Sequence, residues 1–170
     1  SETHSELHNY IKLVRGVRKP QDGFFLRAES FYNVATNIDE MSEKFGYGRP
    51  VIESYGGKSL HHQSHGESFL SLFIHKFNEN GLYILDEPEA ALSPTRQMTM
   101  LSRMHQLVQE RCQFIIATHS PIIMSYPDSV IYEINDKFRK VQYRETEHYQ
   151  VMKKFLNDTD KMLGILMKDE

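Results

Sequence analysis

The stretch Leu82-Tyr83-Ile84-Leu85-Asp86-Glu87-Pro88-Glu89-Ala90-Ala91-Leu92-Ser93-Pro94 decides how this chain reads. Four apolar residues in a row, Leu82 to Leu85, predict a strand buried on both faces in a parallel sheet. Asp86 and Glu87 follow directly and would project from the carboxyl end of that strand. In open α/β sheets that edge is where ligands bind. An adjacent pair of carboxylates there, beside a phosphate, can hold Mg²⁺ through one member and polarise a water with the other. A solvated turn after a strand carries the same residues, so the pair needs companions.

Downstream, Met98, Leu101, Met104 and Val108 recur at helical spacing, and Phe114, Ile115, Ile116 and Ala117 form a second apolar run. Strand, helix, strand is the βαβ unit. Thr118, His119 and Ser120 close that second strand, and His119 stands 32 positions after Glu87. One βαβ unit spans about 30 residues, so the spacing returns His119 to the sheet edge of Glu87. An imidazole there can donate or accept near a terminal phosphate; a surface histidine at a strand end is the plainer alternative. Upstream, QSHGESF, residues 63–69, opens a helix in which Phe69, Leu70, Phe73 and Phe77 recur at spacings of three and four. Ser64 suits its N-cap, Glu67 completes a capping box, and Gly66 permits close backbone approach. A helix N-terminus with free amides and a hydroxyl binds phosphate, and a capping box alone would account for Ser64 and Glu67.

The rest of the chain frames these segments. Leu7, Tyr10, Ile11 and Val14 predict a short amphipathic helix, residues 23–27 a strand, and residues 30–44 a helix, followed by a loop rich in glycine from Gly46 to Gly57. Val130, Tyr132 and Ile134, then Val141 and Tyr143, suggest a hairpin, with two short helices after it. Among 170 residues, 39% are hydrophobic, 25% charged and 11% aromatic, which suits a folded domain rather than a disordered chain. The lone Cys112 admits no internal disulfide, and no apolar run reaches the roughly 20 residues of a membrane helix, so a reduced, cytoplasmic protein is expected. A net charge of −3 gives no overall basic footprint for nucleic acid. Lys137, Arg139 and Lys140 read as an exposed hairpin turn, with nucleic-acid contact unsupported. His61 and His65, four apart beside His62 and Glu67, lack an HExxH pattern or a cysteine partner and read as no metal site.

Taken together and in order, these segments resemble the second half of an ATP-binding-cassette (ABC) ATPase. The signature motif lies at Ser64 to Glu67, Walker B at Leu82 to Glu87, the D-loop at Ala91 to Pro94, and the switch histidine at His119. Within that superfamily the chain is similar to small stand-alone bacterial AAA/ABC-type ATPases related to the SMC and DNA-repair ATPases. The resemblance implies an α/β P-loop NTPase fold, ABC ATPase-like, with a mostly parallel sheet flanked by helices and a helical signature subdomain. It implies ATP and Mg²⁺ as cofactors: Asp86 would hold Mg²⁺ through a water, Glu87 would orient or deprotonate the attacking water, and His119 would contact the γ-phosphate. Ser64, His65, Gly66, Glu67 and Ser93 would reach nucleotide bound to a second subunit, so that a homodimer sandwiches ATP. Two positions depart from the family pattern: His65 stands where a glycine is usual, and Ser93 replaces the D-loop Asp. The Q-loop has no clear counterpart; Glu29 is its nearest occupant.

The largest departure is a missing segment. No G-x-x-x-x-G-K-[ST] occurs in these residues. Gly56-Gly57-Lys58-Ser59 would need its first glycine at position 52, which is Ile52, and no apolar strand leads into it. The expectation is therefore one incomplete ATPase domain over 1–170: a helical and signature part to about 80, a core from about 81 to 145, and closing helices from about 146. This chain alone is expected to be inactive, its P-loop lying in a preceding segment. The alternative is a non-catalytic module that keeps the cassette fold for dimerisation or regulation, with an unidentified protein partner.

Overall fold

The computed structural model describes residues 9–12, 14, 16–17, 19–29, 65–135 and 137–168, and of His65 and Leu72 the backbone only. Strand β1 (Asp22–Arg27) precedes helix α1 (His65–Lys76), strand β2 (Gly81–Asp86), a 3₁₀ turn (Pro88–Ala91), helix α2 (Pro94–Gln109), strand β3 (Gln113–Ala117) and the short helix α3 (Pro121–Met124). An antiparallel hairpin follows, β4 (Ile131–Ile134) with β5 (Phe138–Val141), then a 3₁₀ turn at Tyr143–Glu145 and helices α4 (Glu147–Asn157) and α5 (Thr159–Leu166). The helix expected at 30–44, the glycine-rich loop and Ser64 lie outside the described residues.

β1, β2 and β3 form a parallel sheet in that order. The register sets Arg27 beside Asp86 and Asp86 beside Ala117, so the three strands end level. That level rim brings the residues following β2 and β3 together.

The strand β2 departs from the expected two-sided burial. Tyr83 and Leu85 are buried, whereas Ile84 is 37% exposed and its register partners Phe25 and Ile115 are 64% and 51% exposed. Topology supplies the reason. The strands advance in one direction across the sheet, and crossovers between parallel neighbours are almost always right-handed, so α1 and α2 fall on the same face. These two helices touch one another and pack on that face, and among the described residues no helix covers the other. The core is correspondingly one-sided: Phe69, Phe73 and Phe77 of α1, Met100, Met104 and Leu107 of α2, and Leu26, Tyr83 and Leu85 of the sheet.

Helix α2 also turns a different face inward than its apolar residues indicate. Gln97, Met100, Met104 and Leu107 are buried and Met98 is 55% exposed. A polar residue opens the buried stripe because Gln97 donates from Nε2 to the Leu92 carbonyl at 3.0 Å and accepts from Ser120 Oγ at 2.5 Å. A hydrogen-bonded glutamine can be buried at little cost, and apolar periodicity does not register it. The amphipathic helix expected around Leu7 to Val14 is likewise absent from its described part, where Tyr10, Ile11 and Val14 are largely exposed. A helix this short needs a packing surface, and these side chains have none.

At the amino end of the sheet, Tyr83 stacks on Phe77 with ring centroids 4.0 Å apart. Its hydroxyl accepts from the Asn78 N–H at 2.6 Å and donates to the Asn78 carbonyl at 2.8 Å. Burial, with the nearby Asp22 charge, pushes the phenol up to about 12 against the opposing Asn78 hydrogen bond. Cys112 is buried as expected, its thiol donating to the same Asn78 carbonyl at 3.0 Å. Tyr83→Phe strands the Asn78 N–H at the turn between α1 and β2, and is expected to destabilise the fold by about 1–3 kcal/mol. Denaturant unfolding reads this as a lower midpoint at unchanged slope.

Candidate functional site

Residue 87 sits where the strand must stop. Continued alternation would turn its side chain to the buried face of Leu85, an unfavourable place for a carboxylate. Instead Glu87 adopts a left-handed conformation, φ 48° and ψ 50°, directly before the 3₁₀ turn that begins at the buried Pro88. Such a backbone costs a non-glycine residue on the order of 1 kcal/mol. It is held there by its own N–H, which donates to the Ala117 carbonyl at 2.9 Å and extends the β2–β3 ladder past the strand end. The carboxylate therefore emerges at the rim, half exposed, with Oε1 3.6 Å from His119 Nε2.

Asp86, the last residue of β2, lies in register between Arg27 and Ala117. Its Oδ2 accepts from Arg27 Nε at 2.7 Å, and this contact raises the arginine above its ordinary value. Asp86 and Glu87 thus leave the strand in different directions, one to the arginine of β1 and one to the histidine after β3. Both expected carboxylates and the imidazole stand on one rim.

A third carboxylate fastens the turn. Glu89 accepts from Thr118 Oγ1 at 2.7 Å and from the His119 N–H at 2.5 Å. Thr118 Oγ1 accepts in turn from the Ser120 N–H at 3.0 Å. Ser120 caps α3, accepting from the Ile122 and Ile123 N–H groups, and reaches Gln97 on α2. The segment after β2, helix α2 and the segment after β3 form one hydrogen-bonded block, which sets the backbone position of His119.

Three residues of this neighbourhood escaped sequence reading. Arg27 lies two positions before Glu29 in the same LRAES run, but a lone arginine at a strand end carries no pattern. Glu89 lies inside the quoted stretch as one acid among three. His148, at the start of α4, places Nε2 3.0 Å from His119 Nδ1. It is 29 positions away in sequence, and only the packing of the hairpin and α4 brings it there.

Of the signature and D-loop residues, Gly66, Glu67 and Ser93 have local neighbours within the chain. His65 opens α1. Gly66 is buried, and a Cβ there would lie 2.7 Å from the Ala91 carbonyl oxygen and from Arg96 Nη1, so the glycine is required by close packing of α1 on the 3₁₀ turn. Glu67 pairs with Arg96 at 3.0 Å. Ser93 is the N-cap of α2, accepting from the Arg96 N–H at 3.4 Å, with Pro94 in the first turn.

The match to known families falls on this same block. Residues 65–124 match the family model of the AAA ATPase domain. The matched segment runs from the first residue of α1 to the last of α3 and contains Asp86, Glu87, Glu89, Ser93 and His119. An AAA ATPase domain is a nucleotide-binding domain of the P-loop class, and the three-stranded parallel sheet with its helices accords with that α/β fold. No curated protein and no solved structure gives a significant match. Among the described residues, no helix is long and apolar enough to cross a membrane.

ATP and Mg²⁺ are the ligands generally used by AAA ATPase domains. Among the described residues no cluster of three or more His, Cys, Asp or Glu could bind a metal directly. A rim carboxylate with a partly exposed side chain, as Asp86 is, fits the lesser demand of holding one water of a Mg²⁺ shell, since Mg²⁺ keeps several waters when it binds phosphates. The donor set fits an indirectly held metal and not a directly caged one.

Proposed function

We propose that this chain is the Walker B and switch portion of an ABC-type ATPase, with the P-loop supplied by sequence outside residues 1–170. Asp86 would hold Mg²⁺ through a water, the metal screening phosphate charge, while Glu87 orients or deprotonates the attacking water and His119 contacts the γ-phosphate. Phosphoryl transfer of this kind asks mainly for positioning and charge stabilisation. The observation that carries the reading is the rim itself: three residues from two strand ends lie level, with Glu87 and His119 3.6 Å apart. In the same reading, Ser64, His65 and Glu67 of the signature segment and Ser93 of the D-loop would reach nucleotide bound to a second copy, while Gly66 serves the close packing of α1 on the 3₁₀ turn. ATP then closes a homodimer, and hydrolysis opens it.

A non-catalytic dimerisation or regulatory module is the second reading. It is favoured by one observation, the lack of any G-x-x-x-x-G-K-[ST] segment in these residues. The test is ATP turnover by the full-length protein. The ATPase reading expects hydrolysis that stops when EDTA removes Mg²⁺ and resumes when Mg²⁺ is restored. Full-length protein without turnover at any Mg²⁺ concentration contradicts it and leaves the second reading.

A further inference from the structure

His119 lies between two partners of opposite demand. On one side is the Glu87 carboxylate, which only accepts hydrogen bonds, 3.6 Å from Nε2. On the other side is His148 Nε2, 3.0 Å from Nδ1, the ring centroids 5.0 Å apart. A neutral imidazole carries one N–H, and the tautomer follows from what its two nitrogens meet. With the proton on Nδ1, His119 would donate to His148 and turn a bare nitrogen lone pair toward the carboxylate. With the proton on Nε2, it presents N–H to the carboxylate and accepts at Nδ1 from the Nε2–H of His148. Only the second arrangement satisfies both contacts.

We propose that His148 is a positioning residue for His119, fixing its Nε2–H tautomer and ring orientation by donating to Nδ1. This deepens the ATPase reading and rests on it for any effect on turnover, whereas the tautomer itself does not depend on that reading. The position of His148 is well determined. It follows Glu147 in the first turn of α4, which is capped by the buried Thr146, whose Oγ1 accepts from the Tyr149 N–H at 3.3 Å. The Glu147 N–H donates to Glu133 of β4 at 3.0 Å, and Glu133 also accepts from Arg139 of β5 at 2.8 Å. These two contacts, the Glu147 bond foremost, hold the Glu133 carboxyl below the ordinary glutamate range. Hairpin and helix thereby place an imidazole donor at the back of the one the site would use.

The experiment is nitrogen-15 NMR of histidine-labelled full-length protein at about pH 8, above the ordinary histidine range. The His119 resonances are identified by their loss in His119→Gln. Wild type is expected to show His119 mainly as the Nε2–H tautomer. The His119 ring is largely exposed, so one hydrogen bond is modest there. His148→Ala should lower the Nε2–H to Nδ1–H ratio about three- to tenfold, and His148→Gln, which keeps an N–H donor at similar reach, should restore it. Because His148 is exposed, neither change should disturb folding. Turnover should follow the same pattern, falling in His148→Ala and recovering in His148→Gln. A wild-type His119 carrying its proton on Nδ1, or a ratio unmoved by His148→Ala, overturns the proposal, as does turnover lost in His148→Ala with the tautomer unchanged. If wild type hydrolyses no ATP, the functional reading fails and the tautomer ratios still decide this one.

Discussion

Glu87→Gln in the full-length protein is expected to lower kcat for ATP hydrolysis about 10²- to 10⁴-fold, the range a positioned general base contributes. Mg·ATP affinity should change far less than turnover, because glutamine keeps the shape while replacing one carboxylate oxygen by an NH₂ group and removing the negative charge. The structural grounds are the left-handed backbone at residue 87 and the hydrogen bond from its N–H to Ala117, which present the carboxylate at the rim whatever the side chain's charge. The turn should survive the substitution, so the loss would fall on chemistry and not on folding. Steady-state kinetics with a separate nucleotide-binding measurement checks both halves. Turnover at the wild-type rate would remove Glu87 from its assigned role.

Asp86→Asn addresses the proposed metal role. A group that holds Mg²⁺ through water behaves as an outer-shell ligand, and losing one typically costs 10- to 100-fold in metal affinity or activity. The Mg²⁺ concentration for half-maximal turnover is expected to rise by about that factor, with less effect on the rate at saturating metal. Asparagine retains a carbonyl oxygen for Arg27 Nε, which Asp86 meets at 2.7 Å, and the arginine side chain is more than half exposed, so the fold should be little affected. Titration of turnover against Mg²⁺ reads the change. An unshifted Mg²⁺ dependence would show that Asp86 does not serve the metal.

The placement of Asp86, Glu87 and His119 on one rim is legible because it rests on short-range rules. An apolar run followed by acids fixes a strand and its carboxyl end, and the length of one βαβ unit returns His119 beside it. The strands at 81–86 and 113–117 and the hairpin follow from apolar runs and alternation, and the helix opening at His65 from apolar spacing with its cap residues. What the letters concealed depends on partners distant in sequence. Ile84 sits in the same apolar run as Leu85, yet the direction in which the strands advance puts the described helices on the face of Leu85 and leaves Ile84 partly exposed. Gln97 belongs to the buried stripe of α2 because Leu92 and Ser120 satisfy its amide. Arg27 and His148 join the site through register and hairpin packing, and neither has a local pattern that would single it out. Gly66 suggests room for a ligand in the sequence, and in the fold its open side faces the chain's own Ala91 carbonyl and Arg96. A glycine shows that something comes close, and only tertiary structure shows what.

The central claim is that Asp86, Glu87 and His119 converge at the carboxyl rim of β1, β2 and β3 to receive the terminal phosphate of ATP. A crystal structure of the full-length Glu87→Gln protein with Mg·ATP tests it most directly. The γ-phosphate is expected within hydrogen-bond distance of the His119 ring, with a metal-bound water on Asp86. Nucleotide bound away from that rim would contradict it.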